Sequence, residues 1–217
     1  MKDFIKYIIG YLTKRLFDSI NGCIGYYLKK NMGYCGKNVI LGKPSVCTNI
    51  NNMYLSDNTN IYSDFKFISY TGKFYMGKNS GSAQGLTIIT GNHHRTPGLS
   101  LKDDILSREH DIEQDIIVEE DVWIGANVTL MDGCHIGRGA IIGANSVVRF
   151  KVPPYAIVIG NPAKVIGFAF TPEEVKIHEE KLYNEEERIS LLEYEKNYNR
   201  FFINKINEIK KYSSKNI

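Results

Sequence analysis

Between Val118 and Pro153 the chain repeats every six residues, in the rows VEEDVW, IGANVT, LMDGCH, IGRGAI, IGANSV and VRFKVP. The first column is Val118, Ile124, Leu130, Ile136, Ile142 and Val148, a branched aliphatic every time. The fifth is Val122, Val128, Cys134, Ala140, Ser146 and Val152, all small or β-branched. A short fixed period marks a solenoid, in which each unit buries its apolar face against its neighbours. A helix needs apolar residues at mixed spacings of three and four, and a half-buried sandwich strand needs alternation of two. A strict six suits neither. It suits a short strand and a turn, repeated, with Gly125, Gly137 and Gly143 where the backbone bends or packs closely. Three rows make one triangular coil, so the sequence predicts a mainly β chain built on a parallel β-helix.

The flanks follow other rules. Residues 2–20 place Ile5, Ile8, Ile9, Leu12, Leu16 and Ile20 at helical spacing, interrupted by basic residues that exclude a membrane span. The stretch also lacks the cleavage site of a signal peptide. Residues 1–30 carry Lys2, Lys6, Lys14, Arg15, Lys29 and Lys30 against Asp3 and Asp18. Such a helix either packs on the β-helix or a neighbouring subunit, or lies on a membrane surface. From residue 36 to 92 the repeat is eroded, with rows at 41–46, 55–60 and 61–66, a three-residue slip near Gly72 that reads as a turn insertion, and rows resuming at Met76. Residues 94–117 break the period and predict an extruded loop, reaching toward a neighbouring subunit. Thr171, Pro172 and the two glutamates that follow read as a helix start. Residues 172–211 read as one or two helices, and 212–217 as a frayed end. The predicted organisation is a helical segment over 1–35, a β-helix domain over 36–167 and a helical extension over 168–217.

A net charge of +3 is too small to argue for nucleic acid. Cys23, Cys35, Cys47 and Cys134 include no close pair and no zinc spacing, so nothing requires an oxidising compartment and no metal is expected. Cys134, in an interior column, reads as a buried small hydrophobe.

The segments VWIGANVTLMDGCHIGRGAIIGANSVV and VPPYAIVIGNPAKVIG resemble the hexapeptide-repeat acyltransferases, in the branch that holds sugar O-acetyltransferases and xenobiotic acetyltransferases. The resemblance is strong over residues 76–167, weaker over 36–75 and absent at both ends. It implies a left-handed β-helix, a homotrimer and acetyl-CoA as donor. The hand rests on the resemblance alone, because parallel crossovers are right-handed in about 98% of cases. A cytoplasmic protein is expected, at the inner membrane face if the N-terminal helix lies on lipid.

Acetyl transfer to a hydroxyl needs a base, a donor for the oxyanion and a site that aligns both substrates. Histidine is the side chain best matched to the first task near neutral pH. Of the five histidines, His178 lies in the charged C-terminal stretch, His135 at a turn position and His110 in the extruded loop. His93 and His94 stand where the loop begins, and in the resembling families a histidine here is the base. Asn92-His93 matches the xenobiotic branch, and another alignment gap favours His94. Asn92 and Asp64 are candidate acceptor-binding residues, Asp64 standing where the sugar branch has Asn; a solvated turn Asp is the alternative. By the same resemblance the donor lies against Trp123, Gly125, Ala126, Gly143 and Ala144, with the Ala126 N–H as oxyanion donor. Arg149, Lys151 and Lys164 would meet the coenzyme phosphates. These implications point to O-acetylation of a sugar in a surface polysaccharide or its lipid-linked precursor. An antibiotic acetyltransferase of the chloramphenicol or streptogramin type and an inactive β-helix scaffold are the alternatives, and N-acetylation of an amino-sugar stays open.

Overall fold

The two columns that the repeat singles out are the inside of the molecule. From Val118 to Val148 the first-column residues are no more than 1% exposed, and the fifth column is buried with them. A computed structural model describes residues 2–107 and 111–207; His110 and the C-terminal residues 212–217 lie outside the described residues. The chain winds through three sheets in rotation. Face A stacks strands Tyr34–Cys35, Met53–Leu55, Phe74–Met76, Ile116–Val118, His135–Ile136 and Lys151–Val152. Face B stacks Ile40–Leu41, Asn60–Ile61, Gly81–Ser82, Trp123–Ile124, Ile141–Ile142 and Ala156–Gly160, and ends on the antiparallel Ala163–Phe168. Face C stacks Pro44–Cys47, Phe65–Ile68, Thr87–Ile89, Thr129–Met131 and Val147–Val148. Pairing between successive coils is parallel, so every coil supplies the ladder partners of the next.

Coil length explains the eroded upper repeat. Trp123 pairs with Ile141, eighteen residues on. Tyr54 pairs with Tyr75 and Lys66 with Thr87, both twenty-one residues on. The extra residues sit at the corner between faces C and A, at 48–52 and again at 69–73. The slip near Gly72 is therefore one of two enlarged corners rather than a single insertion. The corner between faces A and B keeps a ladder instead. Asn38, Asn58 and Asn79 occupy left-handed backbone there, and the Asn38 amide donates to Asn58 at 3.0 Å and Asn58 to Asn79 at 3.1 Å. Asparagine tolerates that backbone better than other residues with a β-carbon.

Helix α1 runs from Lys2 to Asn31, longer than the amphipathic stretch alone suggests. Only its end docks on the prism: Ile24 and Leu28 join the core, and Lys29 Nζ donates to the Val39 carbonyl at 2.5 Å. Residues 2–20 do not pack on their own β-helix, and Ile5, Ile9, Leu12, Leu16 and Ile20 are exposed. No described helix is long and apolar enough to cross a membrane.

The C-terminal extension behaves in the opposite way. Helix α2, Leu101–Ser107, belongs to the central loop; α3, Pro172–Leu182, and α4, Leu191–Tyr198, close the chain. Thr171 caps α3 in a capping box with Glu174. The buried Glu179 on α3 takes hydrogen bonds from the Tyr155 hydroxyl and from Arg138 Nη1. The Arg138 guanidinium also stacks 3.8 Å from the Tyr183 ring centroid. Burial and then the Glu179 carboxylate push the Tyr155 hydroxyl far above its ordinary range. These groups fix the extension to the lower coils, with the Arg138 and Glu179 charges paired at 3.0 Å.

Candidate active site

The loop after His93 has structure of its own. Gly91–Asn92 pairs antiparallel with Ile112–Glu113, Gly91 opposite Glu113 and Asn92 opposite Ile112, so His93 and Asp111 face each other one step further out. Helix α2 lies inside this excursion. Its buried Asp104 accepts from the Thr96 N–H, which holds that carboxyl below its ordinary range.

Three acids at alternating positions tie the returning strand to the prism. Glu113 accepts from the backbone N–H groups of Gly72 at 2.7 Å, Thr71 at 2.8 Å and Tyr70 at 3.1 Å, and from Thr90 Oγ1 at 2.9 Å. Asp115 Oδ1 accepts from Lys73 N at 2.8 Å. Asp111 Oδ1 accepts from His94 N at 2.9 Å while its Oδ2 lies 3.0 Å from His93 Nδ1. Partial burial pushes the Glu113 carboxyl up, but the four donors outweigh it and hold the group below its ordinary range.

His93 and His94 thus have different surroundings. A carboxylate on Nδ1 selects the tautomer with the proton there and leaves Nε2 as the basic nitrogen. The His93 side chain is 47% exposed and Asp111 only 19%, so the ring edge remains open while its partner is held. A cavity of about 500 Å³ opens beside this pair, lined by Asn49, Ile68, Tyr70, Ile89, Asn92 and His93 among others. Asn92 Nδ2 donates to Asp132 Oδ1 at 3.2 Å.

The remaining candidates divide by corner. Arg149 stands exposed on the C–A corner two coils below His93, and Lys151 opens the next strand of face A. Gly125, Ala126, Gly143 and Ala144 stand on the B–C corner, and so does Asp64, in left-handed backbone at φ 66°. Stacking alone accounts for Gly125: a β-carbon there would lie 2.6 Å from the Ala144 nitrogen. Trp123 is 48% exposed on face B, paired with Gly81, which leaves room beside the indole. Lys164 is exposed on the closing antiparallel strand, opposite Ile159. The chain therefore brings His93, Asn92 and Arg149 to one corner and Asp64, Ala126 and Ala144 to another. Asp111 and Asp132 are additional groups; Asp111, Glu113 and Asp115 do carry a sequence signal, the period of two in DIEQD that marks a short strand.

Burial pushes the Cys134 thiol up to about 12, which removes it as a nucleophile. Among the described residues no group of three or more His, Cys, Asp or Glu is placed to hold a metal ion.

Residues 115–149 match the family model described as bacterial transferase hexapeptide (six repeats). The chain is 37% identical over 129 residues to a protein of Lysinibacillus sphaericus named for macrolide acetyl transfer, covering 54% of this chain and 71% of that one. It is 32% identical over 120 residues to a protein of Escherichia coli named for O-acetyl transfer in lipopolysaccharide biosynthesis, covering 52% of this chain and 59% of that one. A maltose O-acetyltransferase of Clostridium difficile superimposes with a TM-score of 0.57 at 26% identity, over 66% of this chain and 73% of that one. The chain belongs to the hexapeptide-repeat acetyltransferases, the class that the repeat and the parallel prism define.

Proposed function

We propose that the protein is an acetyl-CoA-dependent O-acetyltransferase that acts on a sugar hydroxyl as a homotrimer of left-handed prisms. The observation that carries this is the geometry of His93, whose Nδ1 is held by Asp111 while about half of its side chain remains exposed. In this mechanism Nε2 takes the proton of the acceptor hydroxyl as its oxygen attacks the thioester carbonyl. The tetrahedral oxyanion is met by the Ala126 N–H. The carbon–sulfur bond then breaks, and the His93 proton goes to the departing coenzyme thiolate. No acyl-enzyme forms. General base catalysis of this kind contributes about 10²–10⁴-fold.

A trimer is supported by the division of the candidates between two corners. One corner holds the base and the other the small residues expected to admit the pantetheine arm. Head-to-tail packing of copies about a three-fold axis sets the C–A corner of one against the B–C corner of the next. Face C, which lies between those corners, presents Val46 and Ile68 outward, an apolar surface suited to the contact.

The maltose enzyme and the lipopolysaccharide relative favour a sugar acceptor, and the exposed aliphatic stripe of α1, beside its lysines, suits an acceptor held at a membrane. The macrolide relative supports an antibiotic acceptor as the second reading. The test is acetyl-CoA turnover on a panel of glycans, a macrolide, chloramphenicol and a streptogramin, with the α1-deleted chain run alongside for retention on anionic vesicles. Transfer to the antibiotics alone would replace the sugar reading. No transfer and no acetyl-CoA binding would leave an inactive scaffold.

A further inference from the structure

Face A carries a feature that acyl transfer at His93 does not use. Its outward column, read down the paired strands, is Tyr34, Tyr54, Tyr75, Ile117, His135 and Lys151. Strands about 4.8 Å apart make this a track roughly 24 Å long. The rings of Tyr54 and Tyr75 stack with centroids 4.9 Å apart, and Tyr34 above them is 54% exposed. Among the described residues none of the three hydroxyls has a hydrogen-bond partner. Each phenol therefore offers a donor, an acceptor and an apolar ring to a ligand.

The track has a shelf and an end. Beside the column the chain turns toward face B through Gly36, Ser56, Gly77 and Gly137. The stack demands small residues here: a β-carbon at Gly77 would lie 2.6 Å from the Glu119 carbonyl carbon. They leave a low shelf next to the tyrosines. At its lower end the track enters a cavity of about 530 Å³ under the C-terminal extension. His135 and Lys151 border it from the prism, and Glu193, Asn197 and Arg200 from the extension. Helix α4 widens there into a π-helical turn at Asn199–Ile203, and such turns appear often where a helix serves a site. Phe201 packs against the core while Arg200 stays exposed.

Charge selects the ligand. Glu119 is engaged, 2.6 Å from His135 Nε2 and accepting from the Arg138 N–H at 2.8 Å. Among the described residues neither Lys151 nor Arg200 forms an ion pair. A guanidinium meets a carboxylate bidentately, and an ammonium adds a second cation. Glu193 and Asn197 supply acceptors for hydroxyl donors. A row of phenols ending at two unpaired cations thus fits an extended, polyhydroxylated chain that carries carboxylates. An acidic polysaccharide has that chemistry, and one of its sugar residues is close in length to the strand spacing.

We propose that face A is a glycan-binding track, which holds an acidic polysaccharide along the tyrosine column with a uronic acid carboxylate in the cavity. Tyr75 and Ile117, which bracket the excursion in sequence, pair with each other. The bound chain therefore passes the C–A corner at the level of His93, and tethering raises the effective concentration of its hydroxyls there. This assignment gives Lys151 to the glycan and leaves Arg149, on the C–A corner, to the coenzyme. The tethering role rests on the acetyltransferase reading; the binding does not.

The test is calorimetric titration of the full chain with linear tetragalacturonate, monomeric galacturonate and the neutral cellotetraose, repeated on Tyr75→Ala, Tyr75→Phe, Arg200→Gln and His93→Ala. Tyr75 points out of face A and Arg200 is exposed, so neither change touches the core, and the thermal midpoint of each variant checks this. Tetragalacturonate should bind the native chain and His93→Ala alike, and weaken roughly tenfold in Tyr75→Ala and Arg200→Gln. Tyr75→Phe should fall between, and the monomer and cellotetraose should bind roughly tenfold more weakly than the acidic chain. Undiminished binding in Tyr75→Ala and Arg200→Gln, or equal binding of cellotetraose, would overturn the assignment and leave the acetyltransferase reading intact. So would association of the native chain beyond a trimer that Tyr75→Ala abolishes, which would give face A to a second copy. Binding through Tyr75 and Arg200 with no acetyl transfer to any acceptor would keep the track and sink the enzyme reading. A native chain that binds none of the saccharides would sink the track whatever its activity.

Discussion

The two corners that carry the candidate residues are built to different rules. On the B–C corner every coil turns in the same few residues, and backbone bonds run down the stack from Gly85 N to the Ser63 carbonyl, from Asn127 N to Gln84 and from Asn145 N to Ala126. Residues there must be small or tolerate left-handed backbone, because the next coil lies directly against them. On the C–A corner the turn lengthens in the upper coils and then opens into the excursion that carries α2. Freed from the repeat, that corner holds His93, Asp111 and Asn92, and Asn92 reaches Asp132 on a regular coil below. Chemistry needs long polar side chains at chosen positions. The periodic corner admits only those that fit the stack, such as Asp64 and Asn127 in left-handed backbone, and the interrupted corner is free of that constraint. The same comparison cautions against reading function into every glycine, since Gly125 is required by the stack whatever it does for a ligand.

Breaking the interrupted corner should have the largest effect. His93→Ala is expected to lower kcat/KM by about 10²–10⁴-fold, measured as thiol release from acetyl-CoA with a responsive acceptor. His94→Ala should cost far less, because His94 meets Asp111 through its backbone N–H, which the substitution keeps. The reverse outcome would move the base to His94. Asp111→Asn should follow at roughly a hundredfold, below the 10⁴ seen when a buried triad carboxylate is neutralised, because this pair is partly solvated. An unchanged rate would make Asp111 a loop anchor only.

Mixing the corners sharpens the comparison. Ala144 is exposed on the periodic corner, so Ala144→Trp should fill the space for the donor and leave the stack standing. Alone it should be inactive, as should His93→Ala. If each site takes one corner from each of two neighbours, randomly mixed trimers of the two variants should regain about a quarter of native activity. Sites completed within a single chain would regain none.

How much of this was legible follows from the same physics. The interior columns from Val118 to Val152 could be read because burial imposes a fixed period on the sequence, and every one of them is buried. The upper coils were harder, since corners of two lengths shift the register although Leu55, Ile61 and Met76 remain buried in line. The alternating acids of DIEQD were visible as residues, but a backbone N–H partner leaves no mark in a sequence, so the attachment of Glu113 to Tyr70, Thr71 and Gly72 was not. Nor was the pairing of His93 with Asp111, eighteen residues apart across an excursion without a repeat. The docking end of α1 is hidden in another way: Ile24 and Leu28 continue the spacing of Leu12, Leu16 and Ile20, and nothing in the sequence marks where along that stripe the prism begins. The sequence named residues for both corners and could not say that they were different corners.

The smallest effect concerns what holds the interrupted corner in place. Glu113 is the clamp between the excursion and the prism, and its carboxyl is held below its ordinary range by the donors that surround it. A group depressed on folding contributes stability that is complete above its unfolded value, about 4.3 for glutamate, and that disappears as pH falls through the folded value. Between pH 5 and 8 the clamp should therefore be insensitive to pH, and in more acid solution the pairing of Gly91–Asn92 with Ile112–Glu113 should loosen before the coils do. Hydrogen exchange at the Thr71 and Gly72 amides, which donate to Glu113, reports this directly. In Glu113→Gln the same amides should exchange roughly tenfold faster at neutral pH, because a neutral amide offers one acceptor oxygen to donors that now meet a carboxylate. The B–C corner, where backbone bonds join successive coils, should show no such step. Acid exchange that accelerates equally at the Asn127 and Asn145 amides would mean that the prism is yielding as a whole and that Glu113 is not the clamp.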